Sequence, residues 1–421
     1  MTTIADLNQK AKEILTKNDR GGYTIPTAGL YPYQWNWDSA FAALGFAAFD
    51  VKRAWQELET LFSAQWDDGM VPHIVFHRQD PGYFPGPDVW GGTGPVPSSG
   101  ITQPPVAATM ARFIFERDQD GSQEAIQALF PKMRAWHNWF FKWRLDQGAA
   151  CVTHPWEAGR DNTPEWDDAM ARIDPVGVGE YERRDTTHVD GSMRPTKFDY
   201  DRYVWLVQMG NRLKWNQQKL LEENPFRIAD PTMTFILLRA HRDLLVLGEA
   251  IGADIRGMAE EIEMLEGGAA SLWNEKIKSF DARDTKSGEW TNCVSNASFL
   301  CWYAGIDQKE QSAQLERVLD AVKFGVPSHD PESPKFDGRR YWRGPTWAVV
   351  NFLIGIGLEE MEHPLAERVR EATRQLITEF GFAEYFDPHD GTPAGGQFFT
   401  WTAAVWLSWA SPTIGENNGI N

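Results

Sequence analysis

Apolar residues recur at helical spacing along most of this chain, and this periodicity limits the fold more than any other feature. Strand-like alternation is confined to residues 70–76 and 288–292, which is too little for a large sheet. We therefore predict an all-α fold. Its helices are expected over residues 3–17, 38–49, 51–66, 104–118, 122–146, 199–222, 230–252, 254–275, 308–324, 345–358, 364–380 and 400–410.

Long loops rich in glycine, proline and aromatic residues separate many of these helices. In a compact domain, loops beyond about 12–15 residues are usually functional or disordered, and the aromatic content argues against disorder. Alternating short and long connections fit a toroid of helical hairpins whose long loops, and thus whose chemistry, lie on one rim. The long loops cover residues 21–37, 67–103, 154–166, 174–199, 324–345 and 382–399.

The chain is predicted to form a single domain over residues 1–421, although its length alone would suggest two or three. It contains no recognisable repeat, low-complexity tract or linker that would divide it. Two of its loops, 67–103 and 174–199, are candidates for lids that close over a substrate.

The charge of the chain excludes several classes of partner. Its 41 Lys and Arg against 59 Asp and Glu give a net charge of −18, whereas proteins that bind nucleic acids or anionic membranes need a cationic face. No stretch approaches the ~18 consecutive apolar residues of a membrane span, and the N-terminal segment lacks the apolar core of a secretory signal. A cytoplasmic protein is expected, and a homo-oligomer stays open.

Neither a metal nor a cofactor is predicted. The three cysteines, Cys151, Cys293 and Cys301, form no closely spaced pair, which argues against a disulfide framework and against a zinc-cysteine site. His73 and His77 would share one face of a strand but lack a third ligand, so their spacing supports a metal site only weakly. The segment 91–100 lacks the Gly-Lys-Ser ending of a phosphate-binding loop.

Four aromatic residues alternate in the segment 29–41 just before Asp38, which we predict to be a helix N-cap. Flat aromatic faces beside a few polar groups suit the apolar face of a sugar ring, and Asp38 and Gln34 could bind its hydroxyls. The alternative is that these aromatic residues only pack the rim. They are Tyr31, Tyr33, Trp35 and Trp37.

A second segment, 154–167, places four carboxylates among two tryptophans in a loop that glycine and proline prevent from being helical. A carboxyl held against an aromatic wall loses solvation, so its pKa rises and it can act as a general acid at neutral pH. The alternative is a solvated acidic turn that caps a helix. The carboxylates are Glu157, Asp161, Glu165 and Asp167.

Glu384 lies between aromatic residues in a third segment, 381–387, far away in sequence. A second carboxylate is what a two-carboxylate glycosidase requires, because acid and base approach one glycosidic bond from opposite sides. Alternatively, Glu384 pairs with an arginine of the neighbouring loop, 339–347. Arginines of that loop, or Arg194, could bind hydroxyls or an acidic aglycone, although a structural salt bridge is the simpler role for each.

Five motifs, in this order, resemble glycoside hydrolase family 63, and in particular its bacterial mannosylglycerate and glucosylglycerate hydrolase branch. The resemblance runs from about residue 18 to residue 410 and implies a single (α/α)6 barrel that hydrolyses its substrate with inversion and without a metal. Trehalases are similar more distantly. The motifs are YPYQWNWDSAF, QPP, HPWEAGRDNTPEWD, YWRGPTW and AEYFD followed by TWTAA.

The resemblance implies roles for individual residues. Asp161 corresponds to the general acid of the family and Glu384 to its general base, and Glu157 is the alternative acid. For inversion, the carboxyl groups of Asp161 and Glu384 should stand ~6.5–9.5 Å apart. Substrate contacts are implied for Trp35, Trp37, Asp38, Gln103, Arg194, Tyr341, Trp342 and Trp347, and less directly for Tyr31 and Tyr83.

These features predict an α-glycoside hydrolase that releases glucose or mannose from a small compatible solute, glucosylglycerate or mannosylglycerate. Arg194 favours an anionic aglycone in an otherwise acidic chain. One alternative is a broader α-glucosidase that acts on disaccharides, short oligosaccharides or glucosylglycerol. A carbohydrate-binding protein without catalytic activity is the alternative from another class.

Overall fold

The computed structural model describes residues 3–413. Short 3-10 helices cover Pro155–Ala158, Pro164–Trp166, Gly191–Met193 and Asn296–Cys301, and a π-helix covers Trp406–Ala410. The α-helices are α1 (Ile4–Asn18), α2 (Asn36–Phe46), α3 (Val51–Ser63), α4 (Pro87–Trp90), α5 (Ala107–Arg117), α6 (Gln119–Trp143), α7 (Asp167–Ala171), α8 (Asp185–His188), α9 (Lys197–Arg212), α10 (Gln217–Glu223), α11 (Pro231–Ile251), α12 (Met258–Ala270), α13 (Lys309–Ala321), α14 (Ala348–Glu360), α15 (Ala366–Phe380) and α16 (Thr400–Val405).

Each predicted helix is present, with its ends shifted by a few residues. The prediction was wrong in continuing one helix over 199–222. Lys214 and Trp215 adopt left-handed φ values of 52° and 54°, which end the helical path after α9. Asn216 then caps α10 by accepting a hydrogen bond from the Lys219 backbone N–H at 3.1 Å.

The strands are short and form small antiparallel sheets, so the chain is mostly helical rather than purely so. The largest sheet has four strands, in the order Leu145–Asp146, Ala149–Val152, Ile228–Ala229 and Arg283–Asp284. Of the predicted strand 70–76, only Ile74–Val75 is paired, and 288–292 forms only an isolated bridge between Trp290 and Arg283. The strands are β1 (Gln34–Trp35), β2 (Ile74–Val75), β3 (Leu145–Asp146), β4 (Ala149–Val152), β5 (Ile228–Ala229), β6 (Trp273–Asn274), β7 (Ser279–Phe280), β8 (Arg283–Asp284), β9 (Tyr385–Phe386) and β10 (Pro393–Ala394).

Six helical segments pack against one another in a closed ring. In order around the ring they are α2, α5, α11, the 3-10 helix Asn296–Cys301, α14 and α16, and α16 returns to α2. A second layer surrounds them: α1, α3, α6, α12, α13 and α15 each pack against one or more of the six. The first helix, α1, packs against both α16 and α2, so it covers the point where the ring closes.

The sequence explains which helices lie inside. All residues of α2 are buried, and in α14 only the last turn is partly exposed, because both helices carry apolar residues around most of their circumference and few polar ones. In contrast, α3 and α15 bury one apolar stripe and expose charged residues on the other side. The long helix α11 starts at the Asp230 N-cap followed by Pro231 and stops at Gly252, as its sequence predicts.

The two predicted lid loops contact each other. Arg184 from 174–199 forms an ion pair with Asp80 from 67–103. Nearby, Phe84 and Tyr181 stack with ring centroids 4.8 Å apart. Within residues 3–413, no helix is both long enough and apolar enough to cross a membrane.

Candidate active site

A cavity opens where the long loops meet, and aromatic and charged side chains line it together. All six predicted long loops contribute to its wall, so the prediction that they share one rim is consistent with the structure. The lining includes Leu30, Tyr31, Trp35, Trp37, Asp38, His73, Tyr83, Phe84, Gln103, Trp156, Gly159, Asp161, Arg184, Asp185, Arg194, Tyr200, Tyr341, Glu384, Phe399 and Trp401.

Ten of the twelve predicted site residues line this cavity, and two do not. Trp342 and Trp347 are fully buried and stack on each other, with ring centroids 3.8 Å apart and nearly parallel planes. Trp342 also packs against Trp37, and Trp347 against Tyr341. They therefore support wall residues from behind. The ten at the wall are Tyr31, Trp35, Trp37, Asp38, Tyr83, Gln103, Asp161, Arg194, Tyr341 and Glu384.

A buried ion-pair network fixes the loop that carries Asp161. The preceding residue, Arg160, is fully buried and binds Glu165 at 2.5 Å and Asp230 at 2.8 Å. Gly159 turns the chain with a φ of 69°, and a Cβ there would lie 2.7 Å from the Trp37 ring. These anchors hold the backbone so that the Asp161 carboxyl faces the cavity.

The surroundings of Asp161 favour its protonated form. Burial is the main cause, and the negative charges of Glu384 and Asp185 add to it, while Arg194 acts in the opposite direction. Together they raise the pKa of Asp161 to about 7. A carboxyl with such a pKa is protonated in a large fraction of molecules at neutral pH, as a general acid requires.

Glu384 is fully buried and held at both of its carboxyl oxygens. Oε1 accepts a hydrogen bond from the Tyr31 hydroxyl and Oε2 accepts one from the Gly396 backbone N–H, both at 2.8 Å. Arg194 Nη1 lies 3.8 Å from Oε1. Burial raises the pKa of Glu384 above its ordinary value, and Arg194 and the hydrogen bonds offset part of that rise.

Three contacts with the protein hold the guanidinium of Arg194 in place. Its Nε binds Asp185 at 3.1 Å, and its Nη2 donates to the Tyr31 hydroxyl at 2.8 Å. The face of the guanidinium lies over the Tyr341 ring, with Cζ 3.9 Å from the centroid. No acceptor within residues 3–413 forms a hydrogen bond with the buried Nη1. The two N–H groups of Nη1, 3.8 Å from Glu384 Oε1, are thus left for a ligand.

Asp38 lies in the cavity wall but is not the predicted N-cap. Strand β1 runs to Trp35, which is itself the N-cap residue, so Asp38 falls in the first turn of α2. Gln103 Oε1 accepts a hydrogen bond from the Trp37 backbone N–H at 3.2 Å, which joins two predicted site residues. Burial, together with the negative charges of Glu384 and Asp161, raises the pKa of Asp38 well above its ordinary value.

The two alternatives for the carboxylates do not match the structure. Glu157 does not line the cavity, because Arg144 binds it at 2.9 Å and the Thr153 backbone N–H donates to it at 2.6 Å. The arginine near Glu384 is Arg194, not one from 339–347. In that loop, Arg339 pairs with Asp387 and Asp390, and Arg343 with Asp167.

The cavity also contains residues that the sequence did not single out as ligand contacts. Asp185 and Tyr200 come from a segment without a recognisable motif, so no local signal marked them. His73 stacks on Trp156, and His77 hydrogen-bonds Gln34 at 2.6 Å. Among residues 3–413, no three His, Cys, Asp or Glu side chains are grouped so that they could hold a metal ion.

Comparison with known proteins assigns the chain to a family. A family model described as the mannosylglycerate hydrolase MGH1-like glycoside hydrolase domain matches residues 31–402. The crystal structure of the GH63 mannosylglycerate hydrolase from Thermus thermophilus, in complex with Tris and D-glycerate, superimposes with a TM-score of 0.93. It is 41% identical, and the match covers 96% of this chain and 99% of that one. The chain belongs to glycoside hydrolase family 63.

Two further relatives are also named as hydrolases of glycosylglycerates. Mannosylglycerate hydrolase MGH1 from Selaginella moellendorffii is 43% identical over 98% of this chain and 87% of that protein. A glucosylglycerate hydrolase from Mycolicibacterium hassiacum is 33% identical, with 97% and 98% covered. The family resemblance predicted from the motifs is confirmed, and the protein is a glycoside hydrolase.

Proposed function

We propose that this enzyme is an inverting α-glycoside hydrolase that releases mannose or glucose from mannosylglycerate or glucosylglycerate. The observation that carries the proposal is one cavity that holds Asp161, Glu384 and the free Nη1 of Arg194. The relatives named above, which are hydrolases of these two substrates, support the choice of substrate class.

In the proposed mechanism, protonated Asp161 donates its proton to the glycosidic oxygen as the bond to the anomeric carbon breaks. Glu384, as a carboxylate, removes a proton from a water molecule on the opposite face of the sugar. The water oxygen forms the new bond, so the configuration at the anomeric carbon inverts. This geometry requires ~6.5–9.5 Å between the two carboxyl groups.

Arg194 is the proposed partner of the glycerate carboxylate. A guanidinium group forms strong hydrogen bonds with carboxylates, and the free Nη1 offers a donor that is already desolvated. Stacking on Tyr341 and the bond to Tyr31 hold the guanidinium in place before the substrate arrives. Little ordering of Arg194 then remains to oppose binding.

Another part of the wall is proposed to bind the sugar. Trp35 and Trp37 present aromatic surface, and Asp38 and Gln103 supply polar groups for hydroxyls. Asp38, whose pKa is raised, can donate as well as accept hydrogen bonds. We further propose that 67–103 and 174–199 act as lids, since the Arg184–Asp80 pair joins them beside the cavity.

The closed ring of six helical segments with a second layer around it is proposed to be a single-domain (α/α)6 barrel. One buried hydrophobic cluster runs through the molecule from Leu7 in α1 to Ala410 after α16, which supports a single domain.

Turnover on a panel of substrates tests this function. We would incubate the enzyme with α-mannosylglycerate, α-glucosylglycerate, the corresponding glycosylglycerols and α-linked disaccharides, and measure the free sugar. Rapid release from one or both glycerates, with much lower kcat/KM on the neutral compounds, is expected. The Asp161→Asn variant is the control for contaminating activity.

The other outcomes correspond to the alternative functions. Comparable rates on disaccharides and glycosylglycerols would indicate a broader α-glucosidase. Binding of the sugars without turnover of any of them would indicate a carbohydrate-binding protein instead of the proposed enzyme.

A further inference from the structure

One of the carboxylates in the cavity, Asp185, lies between two arginines. It accepts two hydrogen bonds from Arg183, at 3.0 and 2.6 Å, and one from Arg194 Nε at 3.1 Å. Burial raises the pKa of Asp185, but the hydrogen bonds from Arg183 and the charge of Arg194 outweigh it and keep that pKa below the ordinary value. Asp185 is therefore ionised in the working pH range.

Arg183 anchors this carboxylate to the rest of the protein. Its guanidinium lies over the Tyr200 ring, with Cζ 4.0 Å from the centroid, and its Nη1 donates to the Pro195 carbonyl at 2.7 Å. Arg183 thus fixes the position of the Asp185 carboxylate, and that carboxylate in turn orients Arg194. Without Asp185, the Nε edge of Arg194 would lose its partner inside a buried site.

We propose that Asp185 is a positioning residue that orients Arg194 so that its free Nη1 meets the carboxylate of an anionic aglycone. This inference rests on the proposed function and goes beyond it by naming the residue that sets the preference for an anionic over a neutral aglycone. Asp185 itself offers no donor to an anionic substrate, so it acts on the aglycone only through Arg194.

The same charge has a second consequence at the general acid. Asp185 helps to raise the pKa of Asp161, so it links the aglycone site to the protonation of the acid. Removing this negative charge should lower the pKa of Asp161 and shift the alkaline limb of the kcat/KM profile to lower pH. The other titratable or charged groups that interact with Asp161 are Arg194, Glu384, Asp38, Tyr83, Tyr203 and Tyr341.

Kinetics of three variants on a glycosylglycerate and on the matching neutral glycosylglycerol test the proposal. For Asp185→Asn, we expect KM for the glycerate to rise about tenfold, as the loss of a charged hydrogen bond implies, with little change in KM for the glycerol. The alkaline limb should also move to lower pH. Asp174→Asn, an exposed change of the same charge in the same loop, should match the wild type on both substrates.

Asp185→Glu separates position from charge. It keeps the negative charge but displaces the carboxylate by one methylene, so KM for the glycerate should rise while the alkaline limb stays near its wild-type pH. This variant also keeps a charged partner for both arginines if Asp185→Asn folds poorly, which thermal unfolding would reveal.

Two results would overturn the inference. One is an equal loss on both substrates with an unchanged pH profile in Asp185→Asn and Asp185→Glu, which would indicate a purely structural role. The other is wild-type KM for the glycerate in both variants. If the wild type itself does not hydrolyse any glycosylglycerate, the proposed function fails, and that outcome is distinct from both.

Discussion

At the scale of single residues, the proposed catalytic carboxylates, Asp161 and Glu384, have different surroundings. The ion pairs of Arg160 hold the backbone at Asp161, and no charged side chain within residues 3–413 hydrogen-bonds its carboxyl, whereas Glu384 is bound at both oxygens. The resemblance of the motifs to family 63 predicted this pair, and the structure places both residues in one cavity. Asp185 could not be predicted, because its role depends on arginines that only the folded loop brings next to it.

Asp161→Asn is expected to lower kcat by about 10²–10⁴-fold or more, because it removes the proton donor, while the protein stays folded. Glu157→Gln is the matched comparison from the same loop. It should leave Arg144 as an uncompensated buried charge and lower the free energy of unfolding by about 3–5 kcal/mol. Rate measurements and thermal unfolding distinguish the two effects. A stable Glu157→Gln with lost activity, beside an active Asp161→Asn, would reverse the assignment of the acid.

The pH dependence of kcat/KM follows from the pKa of Asp161. Since burial raises this pKa to about 7, Asp161 stays protonated below that pH and loses its proton above it. The rate should therefore decline as pH rises through about 7, and in the acid range it should decline as Glu384 becomes protonated. A profile that keeps rising to pH 9 would be inconsistent with Asp161 as the acid.

Gly395→Ala tests how Glu384 is held. The added Cβ would lie 2.2 Å from Glu384 Oε2, so the carboxylate has to move, and activity should fall at least tenfold. Gly252→Ala is the control: its φ of 66° is close to the 69° of Gly395, which gives similar backbone strain, of order 1–3 kcal/mol, but its Cβ meets no atom within 4 Å. It should lose some stability and keep its activity. Equal activity of both variants would show that the clash does not disturb the base.

At the scale of elements, helical periodicity was sufficient for the longer helices, since each of them buries apolar residues at helical spacing. It did not predict the short helices α4, α7 and α8 or the 3-10 helix Asn296–Cys301, which completes the inner ring. It could not predict strands of two residues, such as β6 and β7, because these are too short to show alternation. The break between α9 and α10 depends on Trp215, whose Nε1 donates to the Trp90 carbonyl at 2.9 Å. Such a tertiary contact is not visible in local sequence.

The N-cap of α11, Asp230, also supports the loop of Asp161, the proposed general acid, so Asp230→Ala should have two effects. It removes the cap of α11, which costs about 0.5–2 kcal/mol, and it removes a buried partner of Arg160, which adds about 3–5 kcal/mol. Because Arg160 precedes Asp161, activity should fall as well. Urea unfolding and kcat measure the two effects.

Asp50→Ala serves as the control for this change. Asp50 caps α3 by accepting from the Arg53 backbone N–H at 2.9 Å and is exposed, so only the capping contribution should be lost and kcat should be kept. If Asp230→Ala costs no more stability than Asp50→Ala, the buried network does not support the acid loop as described.

At the scale of the whole molecule, the ring of helices brings loops that are far apart in sequence to a common rim. The carboxylates at 161 and 384 meet in one cavity because α2, α5, α11, the 3-10 helix Asn296–Cys301, α14 and α16 close on themselves. The sequence predicted this arrangement from the alternation of short and long connections. It could not predict that Trp342 and Trp347 lie behind the wall, because tryptophans at the rim and in the core have the same local signature.

The stereochemistry of hydrolysis tests whether Asp161 and Glu384 act on opposite faces of the sugar. We would follow α-mannosylglycerate or α-glucosylglycerate, whichever the wild-type enzyme hydrolyses, by ¹H NMR during the first minutes of the reaction, before mutarotation equilibrates the sugar. If Asp161 and Glu384 act as acid and base on opposite faces, the β-anomer appears first. First appearance of the α-anomer would show retention and would contradict the account.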